Sequence, residues 1–404
     1  MDITHKIWKY LKGGAAFFGI KLDAVRVARF IAKAVYRKKR IWVFGSWYGE
    51  KYADNSRYFY EYVIKYHPEI TPIWVTKNSK VFQFLKKKKY RCYLIRSFQW
   101  LLALVSGEAF FFSASARLDF DFNKRWSFPS ALLIQLWHGM PIKHIGRQEE
   151  KGENRIYHDD LVIATSSFTQ KTLEQAFGHD STIVKITGLP RNDALFDRKD
   201  IEKLRTHLEI PRNAKIILYL PTFRDNDIFF GVHASMIIQQ IMDSERHKEI
   251  LNRYGAILLI KSHFCVEKEM RVKKIEGKNE IRLISLDEST DVSGLLKITD
   301  VLITDYSSCY IDYLLLGRPV IFYQYDLEEY QRKSRGFYYS LDEICAGHRA
   351  FNIQQLADCL EAALSGKDGF YKEREKMLAF FHTYRDNSAC ERVFNNISEK
   401  LKKR

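Results

Sequence analysis

Short apolar runs alternate with mixed, helix-spaced stretches along most of the chain. Ile41-Trp42-Val43-Phe44, Ile73-Trp74-Val75, Cys92-Tyr93-Leu94-Ile95, Ala109–Phe112, Leu132–Leu136, Leu161–Ala164 and Ile183–Ile186 are too short for buried helices and rich in β-branched and aromatic residues. They predict buried strands. Asn55–Tyr66 between the first two predicts a helix, and Trp100–Ala116 reads as a helix end running into the strand at Ala109. The pattern restarts with a helix at Leu204–Leu208 and strands at Lys215–Leu220, Ile257–Ile260 and Leu283–Ser285. Helices are expected at Asn352–Leu364 and within Tyr371–Lys403. The clearest unit runs from Leu296 to Arg335: a strand at Val301–Ile303, a polar turn Thr304–Ser308, a helix of about three turns from Cys309, a stop at Gly317 and Pro319, and a strand through Tyr323. Strand, helix and strand in succession predict parallel sheets covered by helices, the α/β class.

At 404 residues the chain exceeds one typical α/β domain. The expected division is a basic segment 1–40, a Rossmann-like domain 41–196, a second over 197–375, and a C-terminal crossing helix 376–404. The formal charge is +16 and calls for an anionic partner. Residues 1–40 hold eleven basic side chains against two acidic ones, interleaved with Ile7, Trp8, Leu11, Phe17 and Phe18. That suits an amphipathic helix on an anionic membrane surface, or one packed on the first domain with a solvated basic face. Basic residues gather at the termini without a nucleic-acid-binding signature, so nucleic acid is not the expected partner. The six cysteines are scattered without a CxxC pair, which points away from a zinc site or disulfide framework and toward a reducing compartment. Glu108 interrupts the most apolar stretch, which is too short to span a bilayer.

Candidate chemistry lies where strands end. His138 follows an apolar strand and precedes Gly139 and Pro141, so it sits on a loop at a sheet's carboxyl edge, as a proton acceptor or as a structural histidine. Asp54 in Gly49-x-x-Tyr52-x-Asp54-Asn55-Ser56 lies under such an edge or simply caps a helix. Arg191 and Asn192 either hold an anion or brace the hinge, and Arg224 either contacts phosphate or pairs with Asp225 beside Thr222. Lys261-Ser262-His263 is a second histidine at a strand end. Ser307 and Ser308 at a helix start form a phosphate cradle or an ordinary cap.

Several of these stretches together resemble the CDP-glycerol:poly(glycerophosphate) glycerophosphotransferase family, the teichoic-acid primases and polymerases. They are Trp137-His138-Gly139-Met140-Pro141-Ile142-Lys143, Thr187–Asp193, Thr304–Ser308, Asp312–Leu316, Pro319–Phe322, Tyr325–Tyr330 and Ser334–Tyr338, in the family's order. Met140, His144 and Phe264 depart from the usual residues, and Ile344–His348 matches poorly. The resemblance implies a GT-B-like fold with two doubly wound domains facing a cleft, the second holding the nucleotide. It implies transfer of glycerol phosphate, or another polyol phosphate such as ribitol phosphate, from a CDP-polyol to a polyprenyl-diphosphate-linked or capsular saccharide, with release of CMP. His138 would be the base, and His263 and Arg224 would stabilise the transferring phosphate. Asp305, Ser307, Ser308, Arg335 and Gly336 would bind the donor, with Asp54, Gly139, Arg191, Asn192, Thr222, Asp225, Lys261 and Asp312 completing the substrate site. No metal or cofactor is implied. The place of work would be the cytoplasmic face of the membrane, peripherally, with a homo-oligomeric state left open. A GT-B glycosyltransferase using a sugar nucleotide is the alternative on the same fold.

Overall fold

The computed structural model describes residues 40–121, 131–149, 153, 155–222, 229–261, 275–276, 280–286, 290–333 and 336–404. The basic segment expected over 1–40 therefore lies, but for Arg40, outside the described residues. Fourteen strands are described. They are β1 (Arg40–Phe44), β2 (Ile70–Thr76), β3 (Cys92–Leu94), β4 (Gly107–Phe112), β5 (Leu132–Gln135), β6 (Leu161–Ala164), β7 (Val184–Ile186), β8 (Lys215–Leu220), β9 (Ala256–Ile260), β10 (Ile275–Glu276), β11 (Ile281–Ile284), β12 (Val301–Thr304), β13 (Val320–Tyr323) and β14 (His348–Ala350).

They form two seven-stranded sheets, ordered β3-β2-β1-β4-β5-β6-β7 and β10-β11-β9-β8-β12-β13-β14. Pairing is parallel at β1 with β2 and β4, and at β8 with β9 and β12. The short β10 runs antiparallel to β11. Each sheet is doubly wound: its strands fill one side first, then the chain returns to the middle and fills the other. This is the expected α/β, GT-B-like class.

The apolar runs are strands because helices cover both faces of each sheet, leaving no solvent side to favour polar alternation. Ile41, Trp42, Val43 and Phe44 are all fully buried, as are Phe110 and Phe111 in β4. Phe44 stacks on Phe111 at 4.4 Å between ring centres. In the second sheet Ile217, Tyr219, Leu258, Ile260, Ile303 and Ile321 share one core with Leu356 and Leu360 of the helix Ile353–Leu364.

The chain divides into two compact units, one built from the chain up to His138 with His158–Ile163 and Cys390–Arg404, the other from Gly139–Tyr157 and Ala164–Ala389. Within the first, the C-terminal helix Ala389–Lys402 packs Phe394 on Trp42 and, at 3.5 Å, on His67. The helix expected over about three turns from Cys309 is shorter than its apolar pattern suggests. It has five α-helical residues, Cys309–Tyr313, then one 3-10 turn, Leu314–Leu316. Gly317 in the left-handed conformation (φ 64°) reverses the chain into β13 and leaves no length for a third turn.

Candidate functional site

In the first unit, β1 and β4 are neighbours whose following loops lead to opposite sides of the sheet. Loops that part in this way open a crevice at the strands' carboxyl ends. Ser46 follows β1 and Ser113 follows β4, and their hydroxyls meet at 3.1 Å. Trp47 N–H donates to Ser113 Oγ at 3.0 Å. His138 is brought to the same place by the loop after β5. Its Nδ1 lies 2.8 Å from the carbonyl oxygen of Ser113. A carbonyl only accepts, so Nδ1 carries the hydrogen and Nε2 is the basic nitrogen of the neutral ring.

The loop that presents His138 is held from several directions. Asn55 Nδ2 donates to the carbonyls of Leu136 and Trp137 at 2.9 and 3.0 Å. Gln135 Oε1 accepts from Trp137 N–H at 3.1 Å, and its Nε2 donates to Ala114 O at 3.0 Å. These bonds hold Trp137 at φ 50°, a left-handed conformation rare for an aromatic residue. The rings of Trp137 and Trp47 approach the imidazole at 4.2 and 5.2 Å. Trp47 is tied in turn by its indole N–H to Asp54 Oδ2 at 2.7 Å.

Asp54 begins the helix Asp54–Tyr66 at φ 65° and is not its cap; Ala53 holds that position without a side-chain bond. The ordinary capping role considered for Asp54 is thus replaced by a grip on Trp47.

In the second unit, β8 and β12 are the neighbours whose loops part. Thr222, after β8, donates its N–H to both oxygens of Asp305 at 2.9 and 3.1 Å and its hydroxyl to Oδ1. Tyr306 N–H also donates to Asp305 Oδ1, at 2.6 Å. Asp305 is buried. Its carboxylate stitches two strand ends together.

A second cluster lies nearby in sequence. Arg191, in the 3-10 turn Pro190–Asn192, forms a buried ion pair with Asp312 in the helix Cys309–Tyr313. Gly139, at φ 147°, sits so close that a Cβ there would stand 2.9 Å from Ser308 Oγ and 3.0 Å from the Arg191 NH2 nitrogen. Only glycine fits that conformation and that space. Gly139 is joined to His138 by a peptide bond. Asp312 holds Arg191 in place, and the space beside Gly139 is bordered by both its guanidinium and the Ser308 hydroxyl.

Of the two serines at the helix start, only Ser307 makes a cap-like bond. Ser308 has helical φ and ψ and no side-chain cap bond, so its hydroxyl is turned toward Gly139 instead. Ser307 Oγ accepts from Cys309 N–H at 3.4 Å. Burial pushes the Cys309 thiol up to about 11, which keeps it protonated and inert. Asn192 is buried in its turn, and Lys261, just past β9, donates its backbone N–H to Tyr219 O at 3.0 Å. Gly336, at φ 80°, accepts His144 N–H at 3.1 Å. Arg224, Asp225, His263 and Arg335 lie outside the described residues. Among the described residues no group of three or more His, Cys, Asp or Glu is arranged to hold a metal ion.

Trp47 and Ser113 are site residues that sequence reasoning passed over. Their signal was position just past an apolar run, and it becomes specific only when the strand order makes β1 and β4 neighbours.

The model of the CDP-glycerol:poly(glycerophosphate) glycerophosphotransferase family matches residues 27–399. The chain is 30% identical over 331 residues to a teichoic acid poly(glycerol phosphate) polymerase of Staphylococcus epidermidis, covering 77% of this chain and 44% of that protein. It thus spans under half the length of that relative. A teichoic acid glycerol-phosphate transferase of Staphylococcus aureus is 27% identical over 378 residues, 89% of this chain and 93% of the relative. Among solved structures, the wall teichoic acid polymerase TagF superposes with a TM-score of 0.74 at 24% identity, over 94% of this chain and 93% of that one, a likeness of fold.

Proposed function

The chain belongs to the CDP-glycerol:poly(glycerophosphate) glycerophosphotransferase family, and from that premise we propose that it transfers glycerol phosphate, or a related polyol phosphate such as ribitol phosphate, from a CDP-polyol to a hydroxyl of a membrane-linked cell-surface glycan. The observation that carries this reading is His138, its Nδ1 on the Ser113 carbonyl and its Nε2 left as the base. The acceptor oxygen attacks the β-phosphorus of the donor as its proton passes to Nε2. The bond from that phosphorus to the bridging oxygen breaks, and CMP leaves with the bridging oxygen. Little covalent work falls to the protein in such a displacement beyond positioning and charge. Ser308 and the Arg191 guanidinium supply a hydroxyl and a cation for the donor phosphates. Arg224, His263 and Arg335 join them by the family resemblance.

The acceptor in this reading is a polyprenyl-diphosphate-linked saccharide of a teichoic-acid or capsule pathway, and the enzyme works peripherally at the inner membrane face through the basic residues of 1–40. Among the described residues no helix is long and apolar enough to cross a membrane.

The test is CMP release from CDP-glycerol and, in parallel, CDP-ribitol, with a lipid-linked saccharide acceptor. Acceptor-dependent release that falls by about two orders of magnitude or more in His138→Ala is expected. Equal rates in wild type and variant would remove His138 from the chemistry. Turnover of a UDP-sugar with neither CDP-polyol consumed would replace the reading with glycosyl transfer.

A further inference from the structure

The proposed reaction uses His138 but leaves a fully buried carboxylate beneath it unexplained. Asp119 ends the short helix Ala116–Asp119 after β4. Its Oδ2 accepts the backbone N–H groups of Ser113 at 2.8 Å and Ala114 at 3.1 Å, and its Oδ1 accepts that of Tyr48 at 2.6 Å. The loop after β1 and the loop after β4 are both tied to this one side chain. Ser113, clamped through its N–H, is the residue whose carbonyl receives the His138 Nδ1 hydrogen.

We propose that Asp119 is a positioning residue for His138: by clamping Ser113 it selects the tautomer with Nε2 basic, and its charge stabilises the imidazolium formed when Nε2 takes the acceptor's proton. The role rests on the reading of His138 as the base. A neutral ring in water has no need to place its hydrogen on Nδ1, and a loop carbonyl free to rotate would not impose it. Here the carbonyl cannot rotate, because the peptide groups on either side of Ser113 donate to the same carboxylate. Burial pushes the Asp119 pKa above the ordinary carboxylate range; the N–H groups of Ser113, Ala114 and Tyr48, and His138 itself, act in the opposite direction. Among the described residues, Trp47, whose ring borders the imidazole, carries two further charged groups: Asp54, bound to its indole, and Lys51, over its ring at 5.0 Å.

The experiment is a pH titration of the 15N-labelled histidines by NMR without substrate, with His138 assigned by its loss in His138→Gln. Wild-type His138 should be neutral as the Nδ1–H tautomer. In Asp119→Asn its pKa should drop by about one unit, because a nearby negative charge is lost. The acid limb of kcat should move down by the same amount, and kcat should fall about tenfold with KM unchanged. A ring carrying its hydrogen on Nε2 in the wild type overturns the proposal. So does a folded Asp119→Asn protein whose His138 keeps the wild-type tautomer and pKa. Should Asp119→Asn not fold, the wild-type tautomer decides alone. Because the titration needs no donor, unchanged histidine behaviour with active CMP release would defeat this inference only. An inactive protein with the expected titration would defeat the functional reading instead.

Discussion

Replacing Asp312 by Ala should unfold the second unit more readily than its small volume change suggests. The Asp312 and Arg191 side chains are 5% and 11% exposed, so the pair is out of water at both ends. Removing one member of such a pair leaves the other charge buried without its counter-ion, which costs about 3–5 kcal/mol. Losing three side-chain heavy atoms from a cramped site adds less, since neighbouring groups partly collapse. Asp312→Asn keeps the shape and an acceptor, and should cost about 1–3 kcal/mol. The double replacement Arg191→Met with Asp312→Leu removes both charges and should cost less than Asp312→Ala alone. Urea unfolding followed by tryptophan fluorescence reads these differences through the midpoint at common slope. A loss below about 1 kcal/mol in Asp312→Ala, or a double variant as unstable as the sum of the singles, would refute the idea of a buried, mutually dependent pair. CMP release gives a separate reading: the double variant should be stable and nearly inactive, because the cation beside Ser308 and Gly139 has gone.

Gly139→Ala places a side chain at φ 147° against Ser308 and Arg191; a loss of about 1–3 kcal/mol by thermal unfolding and a larger proportional loss of turnover are expected. Asp54→Gly relieves a left-handed aspartate at φ 65° but frees the Trp47 indole, so stability should hold within about 1 kcal/mol while kcat drops severalfold. Burial lowers His247 from its ordinary 6.5 to about 4, so the unfolded chain takes up the proton first on acidification. Its share of stability is then complete above pH 6.5 and is lost as pH falls toward 4, by about 3 kcal/mol at most. His247→Leu should flatten that acid limb in urea midpoints measured from pH 7 to 4, and an unchanged limb would show that other groups cause it.

The strands and the α/β class were legible in the chain because apolar runs buried on both faces have no polar alternation to blur them. His138, Asp305 and Arg191 were legible because each stands just past such a run. What surrounds them was not, because strand order is a long-range property: nothing local says that Ser46 and Ser113 are partners across sixty-seven positions. The helix after Cys309 was read as longer than it is because its end is set by how soon the chain must enter β13. With strand order known, a common device appears in both units. At the point where neighbouring strands send their loops apart, a buried aspartate collects backbone N–H groups from both loops: Asp119 takes Tyr48 and Ser113, and Asp305 takes Thr222 and Tyr306. A crevice at a sheet's carboxyl edge needs its walls held open without a packed side chain between them, and a carboxylate with several fixed donors does this from beneath. Each aspartate therefore sets the shape of its own site from below, which is why neither can be replaced by an apolar residue of equal size without leaving those N–H groups buried and unpaired.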